Sequence, residues 1–189
     1  MTTQTVFRLG ALATLLTALG YAVGEALYLF GNVETLFFAW FFVIVSVFQV
    51  FAYMALYAAQ VKRGDIIAFV GFVISIIGLL YSLMDSERRL ALRAGLITEV
   101  QLEQTQQITS FILLNAVGNA ALVLGWIIFG YGIVRTRVFP RWAGFLMMLT
   151  GVAMVVRDFF IFEYAFAVLA VVVYGSLGWA LWKNPNAPE

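Results

Sequence analysis

Two carboxylates sit where carboxylates are costly. Glu25, in "YAVGEALYLF", and Glu163, in "MVVRDFFIFEYAFA", each interrupt an apolar run. An acid near the middle of a bilayer costs about 2.5 to 3.5 kcal/mol on insertion scales, so an intramembrane Glu is a functional-site candidate by default. Glu25 shares a helical face with Tyr21 and Tyr28 at spacings of three and four. On the reading below, Glu25 and Glu163 both fall in the outer half of the membrane, Asn115 and Asn119 descend to a comparable level, and Arg157 lies just above. Glu25, Glu163, Asn115, Asn119, Tyr21, Tyr28 and Arg157 are therefore the candidate ligand-binding residues of an outward-facing polar pocket. The competing account is structural: either acid pairs with Arg157 or snorkels to the interface.

Composition narrows the chemistry. The 189 residues are 63% hydrophobic and 11% charged, against roughly a quarter charged in an ordinary soluble domain. There is no Cys and no His, which removes disulfides, thiol chemistry, the commonest general base and the usual haem and transition-metal ligand. No metal site, no cofactor and no catalytic residue is expected. Lys62 and Lys183 lie in polar junctions, so a buried Schiff-base lysine has no candidate. A formal charge of +1 gives no nucleic-acid footprint. The expected partners are the lipid bilayer and either another membrane protein or a second copy.

The elements that must position these residues are membrane spans, since crossing ~30 Å of hydrocarbon takes ~20 mostly apolar residues. Six segments are predicted, at about 6–30, 35–60, 65–84, 107–134, 140–156 and 159–182, with an outer loop over about 85–106. They form one all-α integral membrane domain over 1–189, a bundle of six transmembrane helices. The fifth segment is the shortest, and Pro140 suits its first turn. The apolar run after Arg8 is too long for a signal-peptide core and reads as an uncleaved first span. The tail "NPNAPE" reads as disordered. Arg8, Lys62, Arg63, Arg135, Arg137, Arg141 and Lys183 are seven of the 11 Lys and Arg residues. Placing them inside, against Arg88, Arg89, Arg93 and Arg157 outside, puts both termini in the cytoplasm. Trp142, Trp179 and Trp182 then form an inner aromatic belt.

Thr98 with Gln101 spells a capping box, so the fourth helix is predicted to start outside the membrane near Glu99. "SERRLALR" before it is equally compatible with a surface segment and with an extension of the third helix. Small and polar residues mark the faces that meet in lipid: Thr14, Thr17 and Tyr21 on the first helix; Ser46, Gln49, Tyr53, Tyr57 and Gln60 on the second; Gly71, Ser75, Gly78 and Ser82 on the third; Gly118 and Gly125 on the fourth; Gly144 and Gly151 on the fifth; Tyr174 and Gly178 on the sixth. Packing accounts for the Gly and Ser positions. Arg135, Arg137 and Arg141 in "RTRVFPR" invite an anionic-lipid or phosphate reading, but the positive-inside rule explains them without a ligand.

"WIIFGYGIVRTRVFPRWAGFLMMLTGV", Trp126 to Val152, resembles the signature of a bacterial multi-pass membrane family of the domain-of-unknown-function 4386 type. In that family a Gly-rich helix ends in Arg-Ser and Pro-Arg-Trp-Leu-Gly opens the next; here Thr136 and Ala143 replace Ser and Leu. "FAYMALYAAQVKRGDIIAFVG" resembles the family's Leu-Tyr helix end and short basic turn. The likeness covers about half the chain and implies a helical bundle in the bacterial inner membrane, with no catalytic or ligand residue to transfer. Three functions are weighed: binding or transport of a small solute through the outer pocket, proton-coupled if the acids titrate; a non-catalytic accessory or assembly subunit of a membrane complex; and a membrane enzyme, the least favoured because no spacing of known catalytic meaning accompanies Glu25 and Glu163.

Overall fold

A computed structural model describes residues 3–29, 31, 35–63, 65–156 and 163–183. Among the described residues seven α-helices run α1 Thr3–Leu29, α2 Leu36–Gln60, α3 Ile66–Arg93, α4 Glu99–Gln106, α5 Thr109–Thr136, α6 Arg141–Val156 and α7 Glu163–Lys183. A 3-10 turn at Val61–Arg63 joins α2 to α3. There is no strand among the described residues. α1, α2, α3, α5 and α7 are long and apolar enough to cross a membrane. At 16 residues α6 is not, being about 24 Å long at 1.5 Å per residue.

Local chemistry sets the helix ends. Thr35 caps α2 by accepting from the Phe38 N–H at 3.1 Å. Asp65 caps α3 through Oδ1, which accepts from the N–H groups of Ile67 at 2.8 Å and Ala68 at 3.4 Å. The capping box at Thr98 and Gln101 forms as the sequence predicts. The helix it opens is short, however: the chain breaks at Gln107–Ile108, and α5 starts afresh at Thr109 with no side-chain cap. The region over 85–106 also departs from the expected loop, because α3 continues through "SERRLALR" to Arg93 before turning at Gly95.

The long helices and α6 close into a ring. α1 packs on α2 and α7, α2 on α3, α3 on α5, α5 on α6, and α6 on α7. The α3–α5 seam is the most extensive, and glycine makes it possible. A Cβ on Gly78 would fall 2.5 Å from the Leu122 backbone nitrogen, and one on Gly125 would fall 2.7 Å from the Ser75 Cα. Neither backbone could retreat without parting the helices, which is the small-residue contact expected in lipid.

Helix directions follow from who meets whom. Gly178 on α7 lies against Leu15 on α1, while Tyr174, one turn earlier, stacks on Tyr21. α1 and α7 are thus antiparallel, and the start of α1 and the end of α7 lie at the same end of the bundle. That end also carries Arg63, Arg135, Arg137 and Arg141; Arg88 and Arg93 lie at the other. Trp142, Trp179 and Trp182 are exposed at the basic end, and the Lys183 ammonium sits 5.1 Å from the Trp179 ring.

Candidate functional site

The centre of the ring is aromatic. Tyr21 from α1 stacks on Tyr174 from α7 with ring centroids 5.9 Å apart, and meets Phe166 at 5.7 Å and Trp126 from α5 at 6.5 Å, both edge-on. Tyr53 from α2 adds edge and tilted contacts to Tyr174 and Phe129. One amide threads this cluster. Gln49 accepts at Oε1 from the Tyr21 hydroxyl at 3.2 Å and donates from Nε2 to the Tyr174 oxygen at 2.7 Å. Beneath it the Tyr53 hydroxyl and Ser75 Oγ are fully buried without a hydrogen-bond partner among the described residues. Polar atoms from α1, α2, α3 and α7 therefore converge about halfway along the bundle.

Along the first helix, burial falls toward the Arg88 end of the bundle. The stripe read on the first helix records the change: Thr14 and Thr17 are fully buried, Tyr21 and Glu25 half-buried, and Tyr28 is 48% exposed. Thr14 and Thr17 also donate to their own helix, to the carbonyls of Gly10 and Ala13. They are spent on packing; Glu25 lies about 6 Å above Tyr21.

α5 shows the same gradient. Asn119 and Asn115 precede Trp126 by seven and eleven residues, which returns all three to one helix face. Trp126 is buried against Tyr21, whereas both asparagines are exposed. They stand about 10 and 16 Å above the tryptophan. Asn119 Nδ2 donates to Asn115 Oδ1 at 2.7 Å, and the Tyr81 hydroxyl of α3 donates to the same oxygen.

The seven candidate residues thus divide. Tyr21 and Glu25 belong to the α1 side; Asn115 and Asn119 form a pair with Tyr81 on the α3–α5 side. No hydrogen bond among the described residues joins Glu25 to either asparagine. Tyr28 is at the rim of the Arg88 end, Glu163 opens α7, and Arg157 lies outside the described residues. Gln49, Tyr53, Ser75 and Tyr174 complete the interior; the sequence shows them only as members of the small and polar stripes, and Gln49 is the available signal, an amide in the middle of "FFVIVSVFQVFAYMAL". Among the described residues no group of acids could hold a metal ion. The chain matches no family model, no curated protein and no solved structure.

Proposed function

We propose that this is a six-span protein of the bacterial inner membrane, both termini cytoplasmic, that binds a small polar solute entering from the outer side. The observation carrying this reading is the burial gradient along one face of α1, closed at Thr14 and Thr17 and open at Tyr28, above a floor where Gln49 links Tyr21 and Tyr174. In this proposal Glu25 stands on the α1 side of the entry and the Asn115–Asn119 pair on the α3–α5 side. Membership of the family that "RTRVFPRWAGF" resembles is part of the same proposal.

Trp126 supplies the test. It is buried beside Tyr21, while Trp40, Trp142, Trp179 and Trp182 are exposed. A solute reaching the floor changes the Trp126 emission of the purified protein saturably, and the response disappears in Trp126→Phe and weakens in Glu25→Gln. Silence across amines, amino acids and sugars, or a response that survives Trp126→Phe, sinks the reading.

One observation favours a second role, that of accessory subunit. Leu96, Val100, Ile108, Ile112 and Leu113 are exposed around α4 and the start of α5, Leu96 to 78% and Leu113 to 65%. A stoichiometric membrane partner retained in mild detergent, and lost on Leu96→Asn/Leu113→Asn, would favour that role.

A further inference from the structure

At the end of the bundle opposite Glu25, two turns distant in sequence border an open recess of about 520 Å³ lined by Arg63, Asp65, Ile66, Arg135, Thr136 and Arg137. Its one acid is fully engaged. Asp65 Oδ1 caps α3, and Oδ2 accepts from Arg135 Nε at 2.8 Å. Arg63 and Arg137 have no acidic partner among the described residues, so three guanidiniums face one carboxylate and the recess carries two positive charges in excess. The Arg135 side chain remains 57% exposed, leaving its terminal nitrogens accessible.

The positive-inside rule accounts for basic residues on this side of the membrane. It accounts neither for their convergence on one concavity nor for two further features. First, the wall is braced from within: Thr136 Oγ1 donates to Gln60 Oε1 at 3.1 Å, tying the end of α5 to the end of α2. Second, Arg137 ends α5 in the left-handed region at φ 56, the only non-glycine with positive φ among the described residues. Glycine is the usual residue at such a helix end because a side chain there is strained. Here the strained position places a guanidinium at the recess.

We infer that this recess binds a phosphate group, supplied by an anionic lipid headgroup or by a soluble phosphate. Guanidinium forks match phosphate oxygens bidentately, and two excess positive charges suit a group carrying ≈ −1.5 to −2 or a pair of phosphodiesters. The neighbouring Trp142, exposed one residue into α6, sets the recess at headgroup level.

The experiment compares wild type, Arg63→Gln/Arg137→Gly and Arg141→Gln in phosphatidylcholine nanodiscs. Arg137→Gly relieves the strained backbone, so the double variant keeps its fold; Arg141 lies in the same basic junction but outside the recess. One arm measures cardiolipin retention by native mass spectrometry, the other thermal stabilisation by inorganic phosphate. Wild type takes up one of the two probes; the double variant loses affinity on the order of 10- to 30-fold, for two basic contacts; Arg141→Gln stays near wild type. The arm that responds identifies the source. Equal binding by wild type and the double variant, an equal loss in Arg141→Gln, or no preference for either probe overturns the assignment.

Discussion

Both ends of the Gln49 amide are committed across helix boundaries, Oε1 to Tyr21 of α1 and Nε2 to Tyr174 of α7, while the residue itself belongs to α2. Polar contacts between helices in a membrane are worth ~0.6 kcal/mol on average and up to ~1.7. Gln49→Leu is therefore expected to destabilise the bundle by about 1 to 3 kcal/mol, read as a lowered unfolding midpoint in a detergent titration. Glu25→Gln keeps size and hydrogen-bonding capacity, so its midpoint should stay within about 1 kcal/mol of wild type; a larger fall would assign Glu25 to the fold. The acids were conspicuous in sequence because charge in an apolar run is improbable without a use. Gln49, Tyr53 and Tyr174 were visible as polar stripes, but a stripe does not say which other stripe it meets. That is decided by the ring order of the helices.

Among the elements, the α3–α5 seam carries the bundle and was the most legible of its contacts. Gly71, Ser75 and Gly78 on one helix and Gly118 and Gly125 on the other read as a close-approach face, and they interlock as such. Gly125→Leu places a side chain in the Ser75 backbone, so it should prevent monodisperse purification or destabilise the bundle by about 3 kcal/mol; tolerance of this change would contradict the seam. Asp65→Ala removes the cap of α3 and the partner of Arg135 together, for an expected loss of about 1 to 2 kcal/mol. What sequence did not disclose is the break before α5. No glycine or proline marks Gln107–Ile108, and the capping box at Thr98 promised a helix running on. Beyond the break, α5 is tied to α3 by tertiary contacts: Arg88 lies 4.0 Å over the Phe111 ring, and a Cβ on Gly118 would meet the Tyr81 ring.

At the scale of the whole molecule, the sequence predicts six crossings, five described helices are long enough to cross, and the difference is α6. A stretch of 16 residues falls short of the ~20 that span an average bilayer. Yet α6 runs antiparallel to α5 in close register: a Cβ on Gly144 would lie 2.6 Å from the Gly130 carbonyl, and Gly151 faces Val123 and Trp126. On the proposed six-span reading α6 crosses beside this full-length neighbour, the mismatch being taken up by local thinning and by Arg141 and Trp142 at its basic end. Six crossings return the chain to its starting side, matching the common end shared by the start of α1 and the finish of α7. The chain has no cysteine of its own, so single-cysteine labelling reads each site against a silent background. In intact cells a membrane-impermeant maleimide should modify Glu103→Cys in α4, and should reach Gln4→Cys and Lys183→Cys only after permeabilisation. Labelling of Lys183→Cys from outside, with Gln4→Cys still protected, would mean five crossings and a re-entrant α6. Reversal of all three would invert the molecule, and the opening above Tyr21 would then face the cytoplasm.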